Sequence, residues 1–171
     1  TIDVRGAYFT NASGINRQGN ILVIYQDSNF TYHGFLLSNG VFTTIDAPGT
    51  TTYTDAHGIN SRGDIVGRYD GSSGSHGFLL SNGSFTTIDV PGAVQTSASG
   101  INSQGDIVGY YVDSSFNQFG FLLSNGSFTT IDVPGAGGTF AGGINRQGDI
   151  VGASFDSSFT TINGFLLHNG K

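Results

Sequence analysis

The tripeptide Gly-Ile-Asn occurs four times in this 171-residue chain, beginning at Gly14, Gly58, Gly100 and Gly143. The Ile positions are 44, 42 and 43 residues apart, and Gly-Phe-Leu-Leu recurs in step at Gly34, Gly77, Gly120 and Gly164. Phe-Thr-Thr-Ile-Asp follows at Phe42, Phe85 and Phe128. A fixed period of this length marks a supersecondary unit that must stack on its neighbours, because one such unit cannot bury an apolar face alone. The chain is therefore an array of four repeats.

The residue alphabet decides what each repeat is made of. Glu, Met, Cys and Trp are absent and the only Lys is Lys171, while Gly contributes 28 residues. Strong helix formers are thus missing, and the plentiful Thr, Ile, Val, Phe and Tyr favour strands. Read from Ser97, one repeat divides into four strands over 97–102, 106–112, 119–123 and 127–133. Asn125-Gly126 between the last two is a type I′ hairpin signal, since both central residues of that turn need positive φ. Pro134-Gly135 suits a type II turn, with Pro presetting φ and Gly taking the positive φ that follows.

Four-stranded repeats of about 40 to 50 residues have the size of a β-propeller blade. The ends suggest closure: Thr1-Ile2-Asp3-Val4 repeats Thr87-Ile88-Asp89-Val90, and residues 164–170 repeat 77–83. The sequence thus predicts an all-β, four-bladed β-propeller of four-stranded antiparallel blades, its N-terminal strand closing the last blade and removing both exposed edges. Residues 1–171 form one domain in this reading, with blades at about 10–46, 53–90, 96–133 and 139–171 plus 1–4. A monomer is expected, because closure within one chain avoids the entropy of association. A ring of eight blades made by two chains is the rival.

The wording Gly-Ile-Asn-x-x-Gly-Asp-Ile-Val-Gly-x-Tyr, then His-Gly-Phe-Leu-Leu-Ser-Asn-Gly-x-Phe-Thr-Thr-Ile-Asp-x-Pro-Gly, resembles the bacterial extracellular repeats of the HAF family. The resemblance spans essentially the whole chain and departs most in the first repeat, where Asn20-Ile21-Leu22-Val23-Ile24 stands instead. It implies a propeller-like array that is secreted or held at the bacterial surface. It carries no catalytic residues to transfer.

Charge narrows the partners. A net charge of −6 with six scattered cations argues against nucleic acid. No apolar run reaches the length of a membrane span, so no membrane insertion is expected. Without Cys, and with His33, His57, His76 and His168 well separated, no metal or cofactor is expected.

All twelve acidic residues are Asp, and eleven recur at three repeat positions where Asp commonly holds a turn. Asp55 is the exception. It lies two residues from His57 and so on the same face of one strand. The equivalents of His57 are Ser13, Ser99 and Gly142, so this pair breaks the symmetry. Glycoside hydrolysis needs two carboxyl groups in different settings, and Asp55 has no Glu to join it. No catalytic residue is therefore assigned.

Alternating strands send the longer connections to one face. These bring Tyr32, Tyr53, Phe116, Phe140 and Phe159 together with Asp70, Asp113, Gln118 and Asp156, and Asp55 and His57 lie beside them. Rings next to neutral hydrogen-bonding groups suit a sugar, and loops on a rigid scaffold commonly carry function. The expectation is a non-enzymatic extracellular or cell-surface module, glycan-binding or adhesive through this face, with linked weak sites acting together on glycans or surface polymers. The alternatives are a purely structural or protein-interaction scaffold and a hydrolase centred on Asp55.

Overall fold

The computed structural model describes residues 2, 4–50, 52–158 and 160–168, and its regular structure is entirely β apart from a single 3-10 position at His168. Repeat 1 supplies β1 (Phe9–Ile15), β2 (Ile21–Gln26), β3 (Tyr32–Ser38) and β4 (Val41–Ile45). Repeat 2 supplies β5 (Thr54–Ile59), β6 (Ile65–Gly71), β7 (Gly74–Ser81) and β8 (Ser84–Ile88). Repeat 3 gives β9 (Ala93–Ile101), β10 (Ile107–Asp113), β11 (Gln118–Ser124) and β12 (Ser127–Ile131). Repeat 4 gives β13 (Gly138–Ile144), β14 (Ile150–Phe155) and β15 (Ile162–Leu167). Each repeat is an antiparallel meander of consecutive strands.

The expected four-bladed propeller does not form. Repeat 1 is a four-stranded sheet by itself, but the strands of repeats 2 to 4 belong to one curled eleven-stranded sheet. Its path runs β15-β14-β13-β11-β10-β9-β7-β6-β5, with β8 on β7 and β12 on β11. The physical reason lies at the start of each inner strand. β9 begins at Ala93, directly after the Pro91-Gly92 turn, and reaches the third strand of the preceding repeat through a parallel pair, Ser75 with Gln95. Gln118 and Gly138 join β11 to β13 in the same way. Between repeats 1 and 2 only an isolated bridge forms, Tyr32 with Tyr53, and those two sheets stay separate.

Among the described residues the expected clasp is also missing. Ile2 and Val4 lie in no strand, and among the described residues β15 pairs with β14 alone. Tyr8 instead donates its N–H to the Gln26 carbonyl at 2.8 Å, which ties the leading segment to β2 of its own repeat. Thr1, Asp3 and 169–171, on which the clasp also drew, lie outside the described residues.

Turn chemistry follows the sequence. Asn39-Gly40, Asn82-Gly83 and Asn125-Gly126 all have positive φ at both residues, as a type I′ turn requires. Gly49, Gly92 and Gly135 after their prolines have φ near +80°, and Arg5-Gly6 adopts the same turn without one.

The apolar cores lie between repeats. Leu22 and Ile45 of repeat 1 pack with Ala56, Ile65 and Phe78 of repeat 2. Val66 and Ile88 of repeat 2 pack with Ala98, Ile107 and Phe121 of repeat 3, and Val108 and Ile131 of repeat 3 with Ala141 and Ile150 of repeat 4. Such contact requires the inner strands to approach closely. A Cβ on Gly58 would stand 3.0 Å from the Ser99 carbonyl oxygen, and one on Gly100 would stand 3.1 Å from the Gly143 Cα. In repeats 2 to 4 a second glycine, Gly67, Gly109 or Gly152, lies under the ring of Phe78, Phe121 or Phe165. Repeat 1 has buried Val23 there, and Phe35 stacks on Tyr25 at 4.7 Å instead.

Polar bonds run along the same seam. The side-chain amides of Asn16, Asn60 and Asn102 donate to the backbone carbonyls of Asn60, Asn102 and Asn145 in the next repeat, at 3.2, 3.0 and 3.3 Å. Within its own turn the side-chain Oδ1 of Asn102 accepts from the N–H groups of Gln104, Gly105 and Asp106, while its side-chain amide also donates to Asp106 Oδ2. Asn102 is buried and Asn145 is exposed. Removing a side chain that leaves buried donors unpaired costs about 1–3 kcal/mol per group. Asn102→Ala is therefore expected to lower stability by about 3 kcal/mol, and Asn145→Ala by about 1 kcal/mol, as read from urea midpoints.

Candidate functional site

Tyr53, just ahead of β5, and Asp55 within it lie on one face, and a β-bulge at His57, between Ala56 and Gly58, leaves the imidazole beside Asp55. Tyr53 donates its hydroxyl to Asp55 Oδ2 at 2.8 Å, and His57 Nε2 meets the same oxygen at 2.9 Å. His57 Nδ1 lies 3.1 Å from the carbonyl oxygen of Ala98 in the next repeat. A carbonyl only accepts, so Nδ1 carries a proton. Nε2 then faces a carboxylate, and the arrangement is favourable when that nitrogen is protonated too.

Electrostatics agree with this geometry. Burial pushes the Asp55 carboxyl up, but the hydrogen bond and charge of His57, with the Tyr53 hydroxyl and Arg68, outweigh it and hold the group below its ordinary value. Burial likewise pushes His57 down, and the hydrogen bond and charge of Asp55 more than reverse this. Burial and the Asp55 charge both push the Tyr53 hydroxyl up. The result is a carboxylate–imidazolium pair, partly sheltered from water.

Arg68 on β6 is the cross-strand partner of Asp55. Its guanidinium sits 4.9 Å from the centre of the Tyr53 ring, a cation–π distance, and donates to Asp70 Oδ1 at 3.2 Å. Its Nε is buried without a hydrogen-bond partner, and so is the hydroxyl of Ser97. Tyr110 on β10, cross-strand from Ser97, packs its ring 5.6 Å from that of Phe140 on β13.

These groups surround a cavity of about 410 Å³. Ser13, His57, Ser99 and Gly142, the four equivalent positions just before Gly-Ile-Asn, all line it. Tyr53, Tyr110 and Phe140 supply aromatic walls, and Arg68 and Ser97 supply polar ones. Two further sets of equivalent positions contribute. Asn11, Asp55, Ser97 and Phe140 form one, and their cross-strand partners Ile24, Arg68, Tyr110 and Ala153 form the other. The cavity is built where the repeats differ from each other, on a frame where they agree.

Of the residues singled out in the sequence, Tyr53, His57 and Phe140 line the cavity, and Asp55 stands behind it. Tyr32 rests its ring 5.2 Å from that of Tyr53, and Gln118 donates to the Thr139 carbonyl beside Phe140 at 3.4 Å. Asp70 holds Arg68 and accepts from the Ser75 hydroxyl at 2.6 Å. Asp113, Phe116 and Asp156 do not line the cavity. Asp113 accepts from the N–H groups of Ser115 and Asn117, and Asp156 from that of Thr160, so both hold outer turns. Phe116 in the Asp113 turn is 84% exposed, with φ +63°. Phe159 lies outside the described residues. Sequence reasoning missed Arg68, Tyr110 and Ser97; their signal was disagreement among repeats at otherwise regular strand positions.

Each remaining imidazole has its own carboxylate: His33 with Asp46 at 3.1 Å, His76 with Asp89 at 3.0 Å and His168 with Asp149 at 3.3 Å. Among the described residues no group of three or more His and Asp is placed to hold a metal ion, and no helix is long and apolar enough to cross a membrane. No protein-family model matches the chain, and no curated protein matches it.

The pair gives stability a pH signature. Asp55, lowered from 3.8, contributes fully above that value and loses its contribution as pH falls through its folded value. His57, raised from 6.5, contributes fully below that value and loses its contribution as pH rises through its folded value. The stability difference between wild type and His57→Gln is expected to be largest between pH 3.8 and 6.5 and to shrink on both sides. Urea titrations across pH check this, and a difference that stays flat into the alkaline range would contradict a charged His57.

Proposed function

We propose that this chain is a non-enzymatic binding module that takes a saccharide unit into the cavity between its inner strands. It acts outside the cell or at its surface, as the HAF-type wording of the repeats implies. The observation that carries the reading is the diversification of the cavity-facing positions on an otherwise repeated frame. Scaffold positions repeat because each must make the same contact with the next repeat. At the cavity three side chains differ from their equivalents, the polar or ring-bearing His57, Arg68 and Tyr110, and His57 also holds the Ala98 carbonyl of the next repeat.

The chemistry suits a sugar. Tyr53, Tyr110 and Phe140 offer ring surface to apolar C–H faces, while Ser97, Ser99 and Arg68 make the polar part of the wall beside Ser13, whose hydroxyl donates to the Ala56 carbonyl at 2.6 Å. A volume of about 410 Å³ falls within the range of about 300 to 1,000 Å³ usual for small-molecule sites. Buried polar atoms are normally hydrogen-bonded, so an arginine donor and a serine hydroxyl without partners beside this cavity favour a polar ligand.

Hydrolysis is less well supported. Asp55 is committed to Tyr53 and His57 through one oxygen and does not line the cavity, and no second carboxylate stands in the wall.

Glycan-array screening followed by titration calorimetry tests the proposal. A mono- or oligosaccharide is expected to bind, and Tyr53→Ala and Phe140→Ala each to weaken it about tenfold, close to 1.4 kcal/mol. Phe116→Ala is expected to change nothing. Absence of binding to every saccharide would leave a structural module as the reading.

A further inference from the structure

Each repeat carries two different apolar faces, and the interior of the array shows what each face is for. The forward face holds the residue at the Leu22, Val66 and Val108 position together with the Leu36, Leu79 and Leu122 position. Wherever a repeat follows, this face is covered: Leu22, Val66 and Val108 are all 0% exposed. The rear face holds the residues equivalent to Ala56, Ala98 and Ala141, again all 0% exposed, with the isoleucine of Gly-Ile-Asn beside them.

Among the described residues, none covers the forward face of repeat 4. Val151 is 51% exposed and Leu166 is 53% exposed, and a Cβ on Gly143 would touch only its own repeat's Val151. Among the described residues, none covers the rear face of repeat 1. Ala12 is exposed and Ile15 is 67% exposed, whereas its equivalent Ile101 is 9% exposed. The two uncovered surfaces are the two halves of an interface that this chain already builds three times.

The polar half of the interface is duplicated as well. At interior seams the Asn of Gly-Ile-Asn donates to the next Asn carbonyl, and the residue two places on donates to the carbonyl one residue further along in the next repeat. Gln18 reaches Ser61, Arg62 reaches Ser103 and Gln104 reaches Arg146. In repeat 4 these donor positions are Asn145 and Gln147, and the acceptor positions in repeat 1 are the carbonyls of Asn16 and Arg17.

We propose that a second copy of this chain docks head to tail, its repeat 1 rear face on the repeat 4 forward face, reproducing the contact between consecutive repeats. Such a contact joins two different surfaces, so it leaves one face free on each partner unless two copies close on each other reciprocally. Val151 and Leu166 would then lie against Ala12 and Ile15 of the other copy, and Gly143 would allow the inner strands of both copies to approach as closely as Gly58 and Gly100 allow within the chain.

Multi-angle light scattering and sedimentation of the whole chain across micromolar to millimolar concentration test this. A concentration-dependent mass at whole multiples of the chain is expected. Val151→Asp and Ile15→Asp each place a charge on one exposed face, and circular dichroism should report an unchanged β spectrum for both. Combining both substitutions in one chain is expected to give a monomer. Mixing the two single variants is expected to form a heterodimer, since the intact forward face of Ile15→Asp can meet the intact rear face of Val151→Asp. A wild-type mass of one chain at every concentration, or an oligomer that survives the doubly substituted chain, would overturn the proposal.

Discussion

The whole arrangement depends on how closely one inner strand can approach the next. At Gly58 and Gly100 the neighbouring backbone lies where a side chain would begin, with the Ser99 oxygen 3.0 Å and the Gly143 Cα 3.1 Å from the missing Cβ. A larger residue would push the repeats apart at the inner edge, opening the clusters around Ala56, Ala98 and Ala141 and stretching the Asn-to-carbonyl bonds beside them. Packing loss and unpaired polar groups would then arrive together. The tripeptide combines three tasks in three residues. Glycine sets the separation, isoleucine adds apolar contact and asparagine closes both its own turn and the seam.

Separation also defines the cavity. Because the inner strands are held at one distance, side chains a single residue before the glycine all arrive at the same space. In repeats 2 and 3 the strand beside them adds Arg68 and Tyr110. The ion pair of Asp55 and His57 bridges two repeats through the Ala98 carbonyl, so an element of the cavity wall is at once a tie between repeats. The cavity lining and the adhesion between repeats 2 and 3 therefore draw on the same imidazole.

Much of this was legible in the sequence, and the rest was hidden for identifiable reasons. The period, the meander within each repeat and the Asn-Gly and Pro-Gly turns are local properties, set by side chains a few residues apart. Asp55 and His57 could be singled out because they break the repeat. What failed was the ring. Whether consecutive meanders remain separate depends on where β9 and β13 begin, and a shift of four residues, from Ser97 to Ala93, was enough to create a parallel pair across repeats. No spacing of motifs reports that. Likewise, matching end sequences suggested annealing, but a matching sequence says nothing about reach, and Tyr8 is held by Gln26 on its own sheet. Arg68, Ser97 and Tyr110 escaped notice because their importance comes from partners across a strand pair, visible only once the register is known.

The packing of elements runs between sequence neighbours. Duplicating or deleting a whole segment of about 43 residues therefore keeps the packing surfaces between repeats but alters the cavity, which all four repeats line. Insertions of a few residues within an inner strand would instead throw the seam out of step. Gene length in such a protein can thus drift in whole modules while the wording inside each module stays fixed.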